Sequence, residues 1–455
     1  MSEQYRGRHS IFSGLVLVLI GTLFLIQNFR HQYDLWDLFL RWWPLLLILL
    51  GMARLIDYLV AHGSAQSAPR IISGGDIFLI IAILALVATA GGLYKVRQQL
   101  GEADFWRANW GTPYVFTEQM PAQPVAANAR IEISNVRGDI SIHAEDRAEI
   151  LVTLKKSISE FSPSTAQSTA DATHFVVTDN HDGSYEIEPQ AQGASENSDA
   201  RRVQLDLEVH VPLHASVSAT TQQGDIDAAG VLGTFEATTH KGNLEISDAG
   251  SDVTAETDHG DVRVTGVAGN VRLSGKGDEV SMSDVKGEAD IEGEFYGPIH
   301  LSQIAKGARL SSKRTDFTLT ALPGSLELDS GDLEIENSPG DANVSTQKND
   351  VTIENVAGGI HVDDHDGDIE IRLAQPPREG MDVTDDSGDV SVTLPAKSNF
   401  QMDAESDSGD IDSEFSGIAQ RKDNERSSLV GDAGTHGPAI HIRTTYGDIH
   451  LLKGS

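Results

Sequence analysis

The chain has 455 residues, no cysteine and a net charge of −34 from 68 acidic and 34 basic residues. The acidic balance argues against a nucleic-acid partner, because contacts to phosphates need a basic surface. The absence of cysteine excludes disulfides, zinc–thiolate sites and thiol catalysis. The 43 glycines and the low aromatic content of 6% indicate many short strands and tight turns rather than a helical bundle.

Residues 1–100 are apolar, and we interpret them as a membrane domain with about three transmembrane helices. The helices are predicted at 11–29, 42–60 and 76–94, where apolar runs are long enough to cross roughly 30 Å of hydrocarbon. The first run is followed by no small-residue cleavage site, which favours a retained anchor over a signal peptide. A buried hairpin of a soluble domain is the alternative for these runs.

The orientation of the membrane domain is not decided by its charges, because three spans leave equal numbers of basic residues on each side. One side would hold Arg6, Arg8, Arg54 and Arg70, and the other Arg30, Arg41, Lys95 and Arg97. We place the acidic domain outside the cytoplasm, because the cytoplasmic leaflet is itself anionic and would repel it. Residues 101–114, which include Trp106 and Trp110, are predicted to be an interfacial linker.

The first two apolar runs have a recognisable sequence. GLVLVLIGTLFLIQNF, followed by WWPLLLILLGMARLI, resembles the transmembrane region of LiaI/LiaF-like bacterial envelope-stress proteins over about residues 10–60. The resemblance implies a bacterial membrane location and a regulator that acts on a sensor kinase.

Residues 115–215 alternate polar and apolar side chains over long segments, which predicts an antiparallel capping sheet. Such a cap is expected, because the open end of a repeat stack exposes an unpaired strand edge.

Residues 216–455 repeat one unit, in which Gly-Asp or Gly-Asn is followed by an apolar-x-apolar segment. Gly224, Gly242 and Gly260 are eighteen residues apart. A short fixed period predicts a solenoid, with glycine in the turn, Asp bonded to its own nearby backbone, and alternate side chains inside. Gly367 and Gly388 are predicted to need a positive φ or close strand packing. A polar insertion at 416–437 is predicted to be a mobile loop. The predicted fold is therefore mainly β, a parallel β-solenoid (β-helix-like) with an antiparallel capping sheet and N-terminal transmembrane α-helices.

The repeat region resembles the putative-adhesin, or LiaG-like, family of β-strand-repeat domains of unknown function, over about residues 115–453. The resemblance is carried by VQLDLEVHVPLHASVSATTQQGDI at 203–226, by the repeated Gly-Asp turns, and by AIHIRTTYGDIHLLK at 439–453. It implies an envelope location and a β-solenoid, and it supplies no catalytic residues.

No catalytic, cofactor-binding or metal-binding residue is predicted. The turns lack the G-G-x-G-x-D pattern of calcium-binding solenoids, so turn chemistry explains their Asp residues. The segment HVDDHD at 361–366 is interpreted as a solvated polar turn rather than a metal site. A carbohydrate-active enzyme would need clustered outward carboxylates. The outward positions are mixed: Glu245, Arg263, Arg272, Glu334, Thr352, Glu370 and Ser391.

The sequence therefore predicts a membrane-anchored protein of the bacterial cell envelope that is not an enzyme. Its acidic solenoid would act in binding, adhesion or envelope-stress sensing. The predicted partners are the lipid bilayer, through residues 11–94, and other envelope membrane proteins or a sensor kinase. Two alternatives remain: a carbohydrate-active β-helix enzyme and a membrane regulator of a sensor kinase.

Overall fold

The computed structural model describes residues 111–191, 203–329, 331–423 and 425–454. The transmembrane helices predicted at 11–29, 42–60 and 76–94 lie outside these residues. Within the described ranges, no helix combines the length and the apolar character needed to cross a membrane.

The described ranges contain 34 strands and one helix, α1 (Pro163–Ala172). The strands are β1 (Thr112–Gln119), β2 (Gln123–Pro124), β3 (Arg130–Arg137), β4 (Ile140–Glu145), β5 (Glu149–Glu160), β6 (Thr173–Asp179), β7 (Ser184–Ala191), β8 (Val203–Pro212), β9 (Ser216–Gln223), β10 (Ile226–Ala229), β11 (Phe235–Thr239), β12 (Leu244–Ser247), β13 (Val253–Thr257), β14 (Val262–Val267), β15 (Val271–Gly277), β16 (Val280–Val285) and β17 (Glu288–Phe295). They continue with β18 (Ile299–Ile304), β19 (Gly307–Ser311), β20 (Thr315–Leu319), β21 (Leu322–Leu328), β22 (Asp332–Glu336), β23 (Ala342–Thr346), β24 (Asp350–Glu354), β25 (Ile360–Asp364), β26 (Ile369–Arg372), β27 (Met381–Ser387), β28 (Val390–Pro395), β29 (Phe400–Ser408), β30 (Ile411–Ser413), β31 (Ile418–Asp423), β32 (Arg426–Ala433), β33 (Ala439–Tyr446) and β34 (Ile449–Gly454).

These strands form two sheets of 17 strands each. Sheet 1 pairs its strands in the order β1, β5, β8, β4, β10, β12, β14, β16, β18, β21, β22, β24, β26, β28, β34 and β30, with β2 also on β5. Sheet 2 runs through β6, β7, β3, β9, β11, β13, β15, β17, β19, β20, β23, β25, β27, β33, β29, β32 and β31. The chain passes from one sheet to the other along most of its length.

One rung of the stack is a strand of sheet 2, a Gly-Asp or Gly-Asn turn and a strand of sheet 1. In β11 the side chains of Phe235 and Ala237 are buried, and in β12 those of Leu244 and Ile246 are buried. The residues between them point outward, as alternation in a strand requires. Neighbouring rungs pair in parallel with a shift of eighteen residues, for example Phe235 with Val253. The predicted repeat period is therefore the rung of a two-sheet solenoid with one continuous apolar core.

The parallel pairing is interrupted between β18 and β23. In sheet 1, β21 is antiparallel to both β18 and β22, and in sheet 2, β20 is antiparallel to both β19 and β23. The sequence has no Gly-Asp or Gly-Asn pair between Gly277 and Gly331, although β17, β18 and β19 still pair in parallel with their neighbours there. This junction separates two parallel regions. We call β3, β4 and β9–β19 the first stack, and β22–β30 with β33 and β34 the second stack.

Antiparallel strands cover the N-terminal end. Strand β5 is antiparallel to β1 and β8, and β6 is antiparallel to β7. The helix α1 begins after Ser162, whose hydroxyl accepts a hydrogen bond from the amide of Thr165, as is usual at a helix N-terminus. Four strands in the range of the predicted cap also pair in parallel: β7 and β8 with β3 and β4, and β3 and β4 with β9 and β10.

At the C-terminal end the order of rungs differs from the order of the chain. Strands β33 and β34 insert between β27/β28 and β29/β30. The segment predicted as a mobile loop at 416–437 forms the antiparallel hairpin β31–β32 instead. The hairpin is held because Leu429 is buried and Arg426 forms ion pairs with Glu405 and Asp407 at 3.1 and 2.6 Å.

Candidate functional site

The turn glycines lie where neighbouring rungs approach most closely. A Cβ atom built on Gly242 would lie 2.0 Å from the carbonyl oxygen of Gly224, and one on Gly388 would lie 2.0 Å from that of Gly367. Gly242 also has a φ of 149°, whereas Gly388 is not in the left-handed region. Close packing, rather than backbone conformation alone, therefore requires glycine at this corner.

The Asp and Asn residues after these glycines form an outer ladder along the solenoid. The backbone amide of Asn243 donates to Oδ1 of Asp225 at 2.7 Å, and that of Asp261 donates to Oδ1 of Asn243 at 2.9 Å. In the second stack, the amide of Asp389 donates to Oδ1 of Asp368 at 2.9 Å. The expectation that each Asp bonds its own nearby backbone is therefore wrong: the donor belongs to the next rung.

This ladder explains how like charges stack at one corner. Each of these side-chain oxygens accepts a hydrogen bond from an amide that would otherwise face water at the turn. Within the described part of the chain, no three His, Asp or Glu side chains are placed to hold a metal ion.

A second row lies inside the solenoid, three residues before many of the turn glycines. In the first stack its buried polar residues are Asn135, Thr221, Thr239 and Thr257, and it continues at Gly275 and Gly293. The hydroxyl of Thr239 donates to the carbonyl oxygen of Gly224 in the preceding rung at 3.1 Å. In the second stack the hydroxyl of Ser406 donates to the carbonyl oxygen of Gly447 at 2.8 Å. At these two positions a hydroxyl group donates to a glycine carbonyl, whereas the hydroxyl of Thr257 has no hydrogen-bond partner among the described residues.

Two positions of the inner row hold carboxyl groups instead. Asp364 and Asp385 are direct partners on the adjacent strands β25 and β27, and they are 3% and 1% exposed. Oδ1 of Asp385 accepts from the amide of Ser387 at 3.2 Å, and the hydroxyl of Thr444 lies 3.5 Å from Oδ2. Neither carboxyl oxygen of Asp364 makes a hydrogen bond of standard geometry among the described residues.

The environment of the pair disfavours charge. Burial is the main reason that the pKa of Asp385 is raised to about 6. The amide of Ser387 opposes this shift, and the charge of Asp364 adds to it. Burial also raises the pKa of Asp364, against the opposing effect of the amides of His365 and Asp366. Burial is the leading cause in both cases because a charged carboxylate loses its hydration inside the protein.

The turn predicted at 361–366 is only partly a turn. His361 and Asp363 point outward, but Asp364 is the last residue of β25 and points into the core. His361 and His365 pair instead with the next rung, through Nδ1 to carboxylate distances of 3.6 Å to Asp382 and 2.7 Å to Asp386. The missed signal was the alternation itself, because Ile360, Val362 and Asp364 are successive inward positions of one strand.

The outward residues considered for an enzyme do not converge on one place. Glu334, Thr352, Glu370 and Ser391 lie in one row on sheet 1, and Glu245 and Arg263 are partners farther along that sheet. Arg272 lies on sheet 2, where its Nε is 3.4 Å from Asp290.

A carboxylate cluster surrounds Glu334 on sheet 1. Burial and then the charges of Glu336, Glu354 and Glu327 raise the pKa of Glu334. Because Glu334 and Glu327 are exposed on the outer face of the sheet, the cluster is open to solvent rather than enclosed in a cleft.

Sheet 2 carries a shallow depression of about 190 Å³ on its outer face. It crosses strands β20, β23 and β25, and its polar lining consists of Asp316, Thr318, Asn343, Ser345, His361 and Asp363. Its size and openness suit a contact with part of a larger partner better than enclosure of a small molecule.

Two protein families match the chain. The family described as Toastrack DUF4097 matches residues 269–452, and the LiaI-LiaF-like transmembrane region matches residues 11–55. No curated protein matches the sequence significantly.

Three solved structures are similar over most of the chain. A putative cell adhesion protein from Clostridium sporogenes has 11% identity, with 75% of this chain and 100% of that chain covered, and a TM-score of 0.16. A putative adhesin from Bacteroides fragilis has 10% identity, 74% and 97% coverage, and a TM-score of 0.18. A putative lipid-binding protein from Parabacteroides distasonis has 10% identity, 75% and 97% coverage, and a TM-score of 0.17. With TM-scores this low, no conclusion about this chain is drawn from these three structures.

The two family matches fall within the segments that resemble these families in sequence, and they confirm both resemblances over the matched residues. Residues 269–452 carry the Toastrack DUF4097 match, and residues 11–55 carry the LiaI-LiaF-like transmembrane region.

Proposed function

We propose that this chain is a membrane-anchored, non-catalytic protein of the bacterial cell envelope, whose acidic solenoid binds a partner in adhesion or envelope-stress sensing. The observation that carries the proposal is the arrangement of the outer faces. Both sheets present charged and polar side chains in rows, one strand apart, and the depression on sheet 2 is shallow. Such a surface suits recognition of an extended partner more than enclosure of a substrate.

The membrane part of the proposal rests on the LiaI-LiaF-like match at residues 11–55. We propose three membrane spans within residues 11–94, with the solenoid outside the cytoplasm. Protease added to intact spheroplasts should then degrade the region after residue 100. Survival of that region until the membrane is lysed would place it in the cytoplasm.

The binding role is tested by photo-crosslinking in intact cells. In one variant a photoreactive residue replaces Thr318, which lines the depression on sheet 2, and in a second it replaces Glu334 on sheet 1. The matched control places it at Asp258, in an exposed turn. The proposal predicts discrete adducts from one or both faces and few from the turn. Equal adducts at all three positions, or cleavage of envelope polysaccharide by the purified chain, would contradict it.

A further inference from the structure

Two rungs of the inner row carry carboxyl groups where Thr239 and Ser406 carry hydroxyl groups that donate to glycine carbonyls. A carboxylate only accepts hydrogen bonds, whereas a carboxylic acid also donates one. At Asp364 and Asp385 the donor that the row uses elsewhere is therefore present only when a proton is bound.

The two carboxyl groups are too close to be charged together at low cost. They are register partners on adjacent parallel strands, which lie roughly 4.8 Å apart, and both are almost fully buried. Two carboxylates that share a buried site repel each other, so that one of them takes up a proton.

We propose that Asp364 and Asp385 form a proton-binding pair inside the second stack, and that a proton bound by the pair stabilises the packing of strands β25, β27 and β33. When the pH rises and the proton leaves, two buried negative charges face each other, and these strands pack less tightly. The second stack is then a pH-responsive element within the repeat domain, whichever partner its outer faces bind.

A bound proton is the main way to offset the negative charge of the pair, because the groups around it offer little positive charge. Asp364 faces the charges of Asp366 and His365 in the following turn, and Asp385 faces that of Asp386. Thr444 on β33 and the last residue of β23, Thr346, are neutral.

The turns around the pair hold further charges. On the sheet 1 side, Asp350, Asp368 and Asp389 are engaged in the outer ladder. Lys348, in the turn after β23, is exposed. An exposed, hydrated lysine compensates a buried charge only weakly.

The direction of the pH effect follows from the raised affinity for protons. The folded state binds more protons than the unfolded state between pH 3.8, the ordinary pKa of Asp, and about 6, the pKa of folded Asp385. The stabilisation by this pair is therefore fully present below the lower value, and it is lost as the pH rises through the upper one. Ordinary ion-paired carboxylates behave in the opposite way.

The test measures urea unfolding of the full chain in detergent, followed by circular dichroism of the strands, between about pH 4.5 and about pH 7. The Asp364→Thr/Asp385→Thr variant carries the side chains of the regular rungs, and the matched control is Asp363→Thr/Asp382→Thr on the outside of the same strands. Over this range the unfolding equilibrium constant of the wild type should rise about twentyfold relative to the inner variant. The control should keep the wild-type dependence.

Two results would overturn the proposal: the same pH dependence in the wild type and the inner variant, or saturable calcium binding at neutral pH that the inner variant lacks. The calcium result would make the pair a cation site. Infrared spectroscopy of the wild type keeps the proposal testable if the inner variant does not fold. It should show a carboxylic-acid C=O band at about pH 5 that disappears near pH 7 and is weakened by Asp385→Asn. A band at about pH 5 that is as strong in Asp385→Asn as in the wild type would also overturn the proposal.

Discussion

In the first stack, the inner row holds only uncharged residues, among them three buried threonines, whereas two rungs of the second stack carry Asp364 and Asp385 at the same position. The frame around these residues is the same in both stacks. Each rung has two strands, a close-packed turn and an outer ladder in which an amide donates to the Asp or Asn of the neighbouring rung. The chemistry of the inner corner therefore varies while the backbone does not.

The strands, turns and outer ladder build the solenoid in both stacks, whereas the residue at the inner position determines whether its stability depends on pH. A threonine hydroxyl supplies its donor at every pH, so the first stack needs nothing from the solution. A buried carboxyl pair supplies a donor only when it is protonated, so the second stack responds to its surroundings.

Replacing a turn glycine should have a large effect, because the same close packing occurs at the turns of both stacks. In Gly388→Val the new Cβ would lie 2.0 Å from the carbonyl oxygen of Gly367, and the backbone of two rungs must move apart. We expect a loss of about 3 kcal/mol or more in the free energy of unfolding, measured by urea denaturation. The control is Gly331→Val, because no described atom lies within 4 Å of its added Cβ. Equal losses in the two variants would show that close packing at the turn is not the reason for glycine.

Moving the carboxyl group into the first stack should transfer the pH response. Thr239→Asp places a carboxyl at a fully buried position beside Thr221 and Thr257. We expect a loss of about 2–4 kcal/mol at neutral pH, because the buried charge is uncompensated, and a smaller loss near pH 5, where the group is protonated. Thr254→Asp on the exposed face is the control. A loss at Thr239 that does not change with pH would count against the proton account.

Removing one acceptor of the outer ladder should have a moderate effect. Asp261→Ala leaves the amide of Glu279, which donates to Oδ1 of Asp261 at 3.1 Å, without its partner. We expect a loss of about 1 kcal/mol, whereas Asp261→Asn keeps an acceptor and should be close to neutral. Thermal melts of the two variants would distinguish a hydrogen-bond role from a charge role, since a charge role would make Asn as harmful as Ala.

Ion pairs on the outer faces should matter least. Arg272 and Asp290 are 3.4 Å apart on sheet 2, and the side chain of Arg272 is 71% exposed. We expect Arg272→Ala to change the free energy of unfolding by less than about 0.5 kcal/mol, and salt to reduce this change further. A larger effect in urea denaturation would indicate that the outer rows are part of the stabilising frame.

The local features of the rung were predictable from the sequence, because they depend on neighbours along the chain. The Gly-Asp turns and the spacing of Gly224, Gly242 and Gly260 led to the solenoid, and alternation led to its inward residues. The partners of the outer ladder were not predictable in this way, because the donor for Asp225 is eighteen residues away and depends on the register between rungs. The insertion of β33 between β27 and β29 was not predictable either, because several rungs have similar sequences and could pair with β33.

The candidate site was missed for a different reason. The polar run around Asp364 is typical of a turn, and its composition outweighed the alternation that places this residue inside. Asp385 shows the same conflict, since Met381 and Val383 set the inward positions but two further polar residues follow it. Comparison of each rung at the position three residues before the turn glycine resolves both cases, because it aligns these carboxyls with buried threonines.

The most direct test of the account is hydrogen–deuterium exchange of the full chain in detergent at about pH 5 and about pH 7, corrected for the intrinsic exchange rate. The account predicts that amides of β25, β27 and β33 lose protection at the higher pH, while those of β11 and β13 keep theirs. Equal changes in the two stacks, or unchanged protection in the second, would contradict it.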